Sequence, residues 1–191
     1  PSVAYQAVME DGTEVLVDSP SKLPQTQRIA EMREPLLDLS IVAPARFIGT
    51  VMELVTARRG EFQRMEYLQG GASQENGISS SDARVLLEYH APLSEVLMDF
   101  NDQLKSRTQG YASMDYSFHG YQVAPLVKLA LPVNSQPVDA LSLILHRDKA
   151  QQQGKALVEK LRTLIPRQMF DVPLQAAVGS RIIARETIKP A

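Results

Sequence analysis

The spacing of apolar residues alternates between a strand period and a helix period through the middle of the chain. Residues 36–43 alternate apolar and polar positions and end at Pro44, which predicts a β-strand. From Phe47 to Val55 the apolar positions follow helical spacing, and Gly60 is placed to end that helix. The two periods recur as strand-like runs at residues 62–68, 84–90 and 111–118 and as a helical stripe at residues 93–104.

The resulting order of elements is strand, helix, strand, strand, helix, strand. It predicts an α+β fold of the ferredoxin-like type, a βαββαβ sandwich in which four antiparallel strands carry both helices on one face. Residues 69–82 lie between the second and third strands and are rich in Gly, Ser and side-chain amides, which predicts a mobile loop.

The first part of the chain predicts a short hairpin. Residues 3–9 and 13–17 flank Asp11-Gly12, a turn sequence typical of β-hairpins, and residues 18–24 have the composition of a linker. Because there is no initiator Met or signal peptide, we expect a chain excised from a longer protein. Residues 1–24 are then the end of a domain that begins upstream.

The last third of the chain predicts a second, small α/β domain. Residues 126–133 and 138–146 form a predicted hairpin, and an amphipathic stripe from Leu157 to Ile165 predicts a helix that stops at Pro166. Residues 181–188 predict a strand or a short helix. With a boundary placed between about 120 and 130, the predicted domains are residues 1–24, 25–124 and 125–191.

Composition is that of a globular protein, with 44% apolar and 22% charged residues. The longest apolar runs are too short to predict a membrane-spanning helix. Cysteine is absent, which excludes disulfide bonds and thiol catalysis.

The polar residues predict neither an active site nor a metal site. His90, His119 and His146 lie in different segments, and none has a second ligand at metal-binding spacing. The triplet His-Arg-Asp at 146–148 matches the start of a protein-kinase catalytic loop. That loop requires an Asn where this chain has Gln153, and the chain lacks Asp-Phe-Gly and a glycine-rich phosphate loop. These differences exclude a kinase.

Charge is distributed unevenly along the chain. The net charge is −2, but residues 1–100 carry 8 Lys/Arg against 15 Asp/Glu, and residues 101–191 carry 12 against 7, which gives −7 and +5. A basic half favours contact with a polyanion. Residues 140–191 hold nine Lys/Arg against four Asp/Glu and a single aromatic residue, Phe170, which favours structured RNA over stacked single strands. The alternative is that these charges only form a solvated surface.

Five stretches are distinctive: "VDSPSKLP" (17–24), "ARRGEFQRMEY" (57–67), "LKSRTQGYASMDY" (104–116), "PVDALSLILHRDKA" (137–150) and "LIPRQMFDVPLQAAVGSRIIARET" (164–187). Together they resemble the LepA (elongation factor 4) family of translational GTPases, and the resemblance runs nearly end to end. It implies that residues 25–124 are equivalent to the ferredoxin-like fifth domain of elongation factor G. It also implies that residues 1–24 end the preceding third domain. Residues 125–191 would begin the C-terminal domain peculiar to LepA, truncated before its basic tail.

The resemblance also implies a function for the intact protein. That function is GTP hydrolysis, with GTP and magnesium as cofactors, coupled to remodelling or back-translocation of ribosomes. This chain lacks the GTP-binding domain, so we expect it to hold no cofactor and to have no active site of its own. The alternative is an α+β protein-interaction or scaffold module that does not bind RNA.

The implied partners are the ribosome, through RNA and proteins of its large subunit, and transfer RNA. We expect a monomer in the bacterial cytoplasm. Peripheral association with the inner membrane and a location in an organelle matrix are alternatives.

Ten residues are candidate contacts to RNA or the ribosome. Asp148 is expected to orient a neighbouring Arg or to cap a helix. The alternatives are an internal structural turn at 146–148 and a solvated helix face around Lys155 and Arg162. Arg58-Arg59-Gly60 is predicted to be the end of a helix rather than an RNA contact. The candidates are His146, Arg147, Lys149, Lys155, Lys160, Arg162, Arg167, Arg181, Arg185 and Lys189.

Overall fold

The computed structural model describes residues 3–24, 28–68, 83–136, 138, 141–179 and 181–190. The predicted loop at 69–82 lies outside these residues. The chain divides into two compact units: unit 1 is Pro1–Arg33 with Val123–Ala191, and unit 2 is Glu34–Gln122. Residues 3–24 thus lie in the same unit as the described residues after Val123.

The strands and helices are numbered in chain order. The strands are β1 Tyr5–Met9, β2 Glu14–Val17, β3 Ile29–Pro44, β4 Glu61–Tyr67, β5 Arg84–Pro92, β6 Ser113–Val123, β7 Leu126–Ala130, β8 Leu143–His146, β9 Val172–Val178 and β10 Arg181–Ile188. The α-helices are α1 Ile48–Ala57, α2 Leu93–Val96, α3 Phe100–Arg107 and α4 Arg147–Leu164. No helix among the described residues combines the length and the apolar character needed to cross a membrane.

Unit 2 confirms the predicted ferredoxin-like fold. Its strand order is β6-β3-β5-β4, and the β3–β5 and β4–β5 pairs are antiparallel. Alternate residues of β3 and β5, such as Leu39 and Leu87, pack against Val51 of α1 and Phe100 of α3. The intervening residues, such as Asp38, lie on the opposite, open face of the sheet.

The second predicted helix is interrupted. The apolar stripe at 93–104 is divided between α2 and α3, and Asp99 between them adopts a left-handed backbone with φ of 49°. Arg58 donates a hydrogen bond to the Asp99 carboxylate at 2.8 Å and others to the Glu95 and Met98 carbonyls. The break is therefore held by the residue that follows α1, a contact that periodicity alone does not reveal.

The ring of Tyr89 lies in the core of unit 2 with its hydroxyl unsatisfied. Its side chain packs edge-on against Phe62 at 5.7 Å, and the residue is 2% exposed. Its Oη has no hydrogen-bond partner among the described residues, and burial raises the pKa of the phenol. A buried hydroxyl that loses its bonds to water and gains none is destabilising.

We therefore expect Tyr89→Phe to raise the free energy of unfolding by about 1 kcal/mol, because it removes the unsatisfied group and keeps the ring. Urea denaturation followed by circular dichroism measures the change. Tyr116→Phe, at a 58% exposed position, should leave stability unchanged. A loss of stability in Tyr89→Phe would show that the hydroxyl has a partner.

Unit 1 is built on a second antiparallel sheet with the order β10-β9-β7-β8. Helix α4 covers one face of this sheet, where Val158 packs with Leu129, Leu145 and Leu174. The residues predicted to form a strand or a short helix at 181–188 are strand β10. Strand β9 was not predicted, and α4 begins ten residues before the predicted stripe at Leu157.

The N-terminal hairpin packs against the other face of this sheet. Strands β1 and β2 pair antiparallel, as predicted, with Tyr5 opposite Val17. Both residues join a cluster with Leu126 of β7 and Ile144 of β8. Tyr5 Oη also donates to the Ile144 carbonyl at 3.3 Å. Unit 1 is therefore a hairpin layer, a sheet and a helix.

Candidate nucleic-acid interface

Helix α4 begins in the His-Arg-Asp triplet. His146 is the N-cap, and its Nδ1 accepts a hydrogen bond from the Asp148 backbone N–H at 3.1 Å. Asp148 was expected to cap the helix or to orient an Arg, and the capping expectation is wrong because the imidazole takes that place. The Asp148 carboxylate lies in the first turn, where the helix dipole favours negative charge.

The cap also limits what His146 can contact. Its Nδ1 lies 3.7 Å from Asp148 Oδ2, an ion pair that needs a protonated imidazole. The capping bond is shorter than this contact, and Nδ1 can accept it only when that nitrogen carries no proton. The observed cap therefore requires Nδ1 of His146 to act as an acceptor rather than as the cation of an ion pair. Only 12% of the side chain is exposed. Of the ten candidates, His146 is thus the one engaged in holding the helix start.

The basic residues of α4 occupy two flanks of the helix. At about 100° per residue, Arg147, Lys155 and Arg162 fall within an arc of about 80°, which we call flank A. Lys149 and Lys160 fall within about 20° of each other, and this flank B lies about 140° from Lys155 and Arg162. The buried stripe of Ala150, Gly154 and Val158 faces the sheet. Arg147 is in line with this stripe but is exposed at the first residue of the helix, so Lys155 and Arg162 are the members of flank A that lie beside the stripe. The sequence placed these cations in one patch, but the helix divides them.

The remaining candidates are distributed over three further places. Arg185 pairs with Gln175, between two β9 residues that face α4, so its side chain points to the opposite face of the sheet. Arg181 is the exposed first residue of β10, and Arg167 is exposed in the segment between α4 and β9. Lys189 follows β10, with its Nζ 4.0 Å from Asp171 Oδ2.

Most of these cations have no internal counter-charge. Arg162 donates to Glu186 of β10 at 3.0 Å, and Lys189 has the contact to Asp171. Among the described residues, no carboxylate lies within ion-pair distance of six others. These six are Arg147, Lys155, Lys160, Arg167, Arg181 and Arg185, all of them exposed. Exposed cations without internal partners are available to an external anion.

Arg59 has a structural role instead. It follows α1 with a left-handed φ of 58° and donates to both oxygens of Glu34, at 2.7 and 3.0 Å. Its Nε lies 3.1 Å from Glu95 Oε1. The prediction that this segment is a helix end is confirmed, since α1 stops at Ala57. The buried ion pairs were not predicted, because Glu34 is distant in sequence.

Two of the histidines lie together, which the sequence did not predict. On the open face of unit 2, His90 Nε2 and His119 Nδ1 each lie 3.0 Å from Asp38 Oδ1. The two rings are 4.2 Å apart at their centroids. The sequence predicted no metal site because no histidine has a second ligand at metal-binding spacing, and this grouping of Asp38 with His90 and His119 arises only from the fold.

Apolar groups exposed in unit 1 form two further features. Three apolar side chains are exposed at the end of α4 and just after it. Leu164, the last residue of the helix, is 66% exposed, Met169 is 86% exposed and Phe170 is 78% exposed. A cavity of about 900 Å³ lies between the segment 23–32 and the sheet of unit 1. Its lining is mainly apolar and includes Leu23, Met32, Leu126 and Ile144. The cavity was not predicted from the sequence.

Comparison with known proteins agrees with this architecture. Residues 31–131 match the family described as "Elongation factor G C-terminus", and residues 133–191 match "GTP-binding protein LepA C-terminus". The chain is 53% identical to elongation factor 4 of Cutibacterium acnes over 189 residues, and 49% identical to that of Bacillus cytotoxicus over 189 residues.

These alignments cover 99% of this chain and 29% of each relative. Elongation factor 4 of Symbiobacterium thermophilum is 46% identical over 190 residues, which cover 100% of this chain and 30% of that protein. The chain thus spans less than a third of the length of the relatives it matches, and it corresponds to their C-terminal part. This chain belongs to the elongation factor 4 (LepA) family.

Proposed function

We propose that this chain is the ribosome- and transfer-RNA-binding part of a translational GTPase that remodels or back-translocates ribosomes. The observation that carries the proposal is the set of exposed cations of unit 1 that have no internal counter-charge. Five Lys/Arg and two Asp/Glu in α4 give this single helix a charge of +3. Such a helix attracts phosphate groups, and its attraction falls with salt as counterions are released.

Flank A is the proposed contact to the phosphates of transfer RNA. Within the part of the chain that the structure describes, no carboxylate pairs with the side chains of Arg147 and Lys155. The guanidinium of Arg162 uses one nitrogen for Glu186 and keeps further N–H donors. Glu186 holds that guanidinium in place, as a preorganised phosphate contact requires. Unit 2 is the proposed contact to the large ribosomal subunit. GTP and magnesium would be bound by another part of the longer protein, which we propose acts in the bacterial cytoplasm.

The test is a titration of the chain against labelled transfer RNA at several salt concentrations. Changing Arg147, Lys155 and Arg162 together to Gln should lower the slope of log affinity against log salt by about 2, because each lost phosphate contact removes roughly 0.7 to 0.9. The matched control changes Lys22, Lys105 and Arg107 to Gln, an equal loss of charge at exposed positions elsewhere. That control should keep the wild-type slope.

A second pair of variants separates the flanks of α4. Lys149→Gln with Lys160→Gln should leave the slope within about 0.5 of wild type if flank A alone contacts phosphate. An equal fall in slope for the flank B and flank A variants would show binding around the whole helix. An unchanged slope in the flank A triple variant would contradict the assigned contact.

The alternative of a protein-interaction module has one observation in its favour. Leu164, Met169 and Phe170 expose apolar surface at the end of α4, and such surface is typical of protein contacts. Binding to ribosomes that is insensitive to salt and is lost in Met169→Ser with Phe170→Ser would favour protein over RNA as the partner of this end.

A further inference from the structure

The open face of the unit 2 sheet gathers one aspartate and two histidines from three neighbouring strands. Asp38 of β3 and His90 of β5 are directly opposite in the antiparallel register, and β6, which carries His119, pairs with β3 on its other side. Residues directly opposite in adjacent strands bring their Cβ atoms to about 5 Å. The three side chains converge because of strand pairing, not because of spacing in the sequence.

The distances between these side chains suit a shared ion. Two donor atoms bound to one Zn²⁺ or similar ion lie about 2.9 to 3.4 Å apart, given metal–ligand bonds of about 2.0 to 2.2 Å. The two histidine nitrogens each lie 3.0 Å from the same Asp38 oxygen. The three donor atoms all lie within 4.8 Å of one another, so the two nitrogens need only a small closure. The side chain of His119 is 45% exposed, so closure toward the ion would take place at the surface rather than in the core.

The chemistry of the donors selects the class of metal. Two imidazole nitrogens and one carboxylate oxygen suit Zn²⁺ and neighbouring divalent transition ions, whereas Ca²⁺ and Mg²⁺ require mainly oxygen ligands. We propose that Asp38, His90 and His119 form a binding site for a divalent transition ion such as Zn²⁺. The partial exposure of all three leaves the remaining coordination positions to water or to a group from a partner.

The bound ion would tie together three strands of one sheet. Each strand contributes a single ligand, so binding requires the folded register of β5, β3 and β6 and adds stability to that state. This site is separate from the RNA contacts proposed for α4, since all three ligands belong to unit 2. The test of this metal site is therefore independent of the test of the proposed function.

The test uses the 191-residue chain stripped of metal with a chelator. Isothermal titration with ZnCl₂ should show one equivalent bound, and titration with CoCl₂ should give the visible absorption bands of a site containing nitrogen ligands. His90→Gln, His119→Gln and Asp38→Asn should each weaken binding at least tenfold. His146→Asn is the matched control, because it removes the third histidine and keeps an N-capping side chain. It should bind Zn²⁺ as the wild type does.

Proton NMR of the histidine rings provides a readout that does not depend on variants. Zn²⁺ should shift the ring signals of His90 and His119 and leave those of His146 in place. The proposal is overturned if no one-to-one binding is seen, or if the His146 signals shift equally. The proposal is also overturned if the three ligand variants bind Zn²⁺ as tightly as the wild type does, because the ion would then be bound by other surface carboxylates.

Discussion

Replacing Arg59 by methionine should lower the free energy of unfolding of unit 2 by about 3 kcal/mol, because it leaves buried carboxylates without their counter-charge. Glu34 is 3% exposed, and both its oxygens accept hydrogen bonds from Arg59. Burial opposes the charge of Arg59, but the hydrogen bonds and charges of Glu34 and Glu95 outweigh it, so the pKa of Arg59 is raised. The Arg59 guanidinium therefore supplies the counter-charge that compensates for burial of the Glu34 carboxylate.

Arg64→Met is the matched control for this prediction. Arg64 pairs with Glu88 at 2.6 Å, but 58% of its side chain is exposed, and water screens such an ion pair, so its loss should affect stability much less than the loss of a buried pair. Urea denaturation of both variants measures the difference. Adding Glu34→Gln to Arg59→Met should recover part of the loss, because it removes the uncompensated charge. Equal losses in Arg59→Met and Arg64→Met would contradict the assigned role.

The second large effect is expected at Gly154, where α4 meets the sheet. A Cβ built on Gly154 would lie 2.9 Å from Ile183 Cδ1, 3.1 Å from Ala176 Cβ and 3.4 Å from Leu129 Cδ1. Gly154→Leu should therefore push α4 away from the sheet and cost about 3 kcal/mol. This loss is net of the roughly 1 kcal/mol that leucine gains over glycine in helix propensity.

The control for Gly154 is Gly49→Leu in α1. Nothing lies within 4 Å of a Cβ at Gly49, so leucine there should be neutral or slightly stabilising. Hydrogen exchange distinguishes the units, because Gly154→Leu should speed exchange in α4 and leave the amides of β3 and β5 in unit 2 unchanged. Normal protection of α4 in that variant would contradict close packing at Gly154.

The parts of the fold that sequence reasoning predicted are those with a clear apolar period. Strands β3 and β5 bury one face and expose the other, so apolar and polar residues alternate along their sequences. Strand β9 is different, since it contains Pro173, a residue that argues against a strand, and its buried Ala176 is too small to mark a face. The first half of α4 was missed because Gln-Gln-Gln-Gly carries no apolar stripe, although Gly154 is buried there.

The candidate site shows the same limit. Individual cations were identifiable, but the positions of Arg147 and Lys149 on α4 depend on where the helix begins. Without a start at Arg147, neither residue can be placed relative to Lys155 and Arg162. The grouping of Asp38 with His119 depends on strand pairing between distant segments, which no local pattern contains. The Arg59–Glu34 pair is hidden for the same reason.

The hairpin layer of unit 1 has a consequence for synthesis of the protein. Tyr5 and its partner Ile144 are 139 residues apart, so the hairpin is made long before the sheet that covers it. At about 5 to 20 residues per second, that delay is on the order of 10 s, far longer than a hairpin or a small domain needs to fold. Unit 2 is completed during this interval, so it is expected to fold first while the apolar side of the hairpin waits uncovered. A nascent chain halted before Ile144 would therefore contain a folded unit 2 and, before it in sequence, a hairpin whose apolar side is not yet covered.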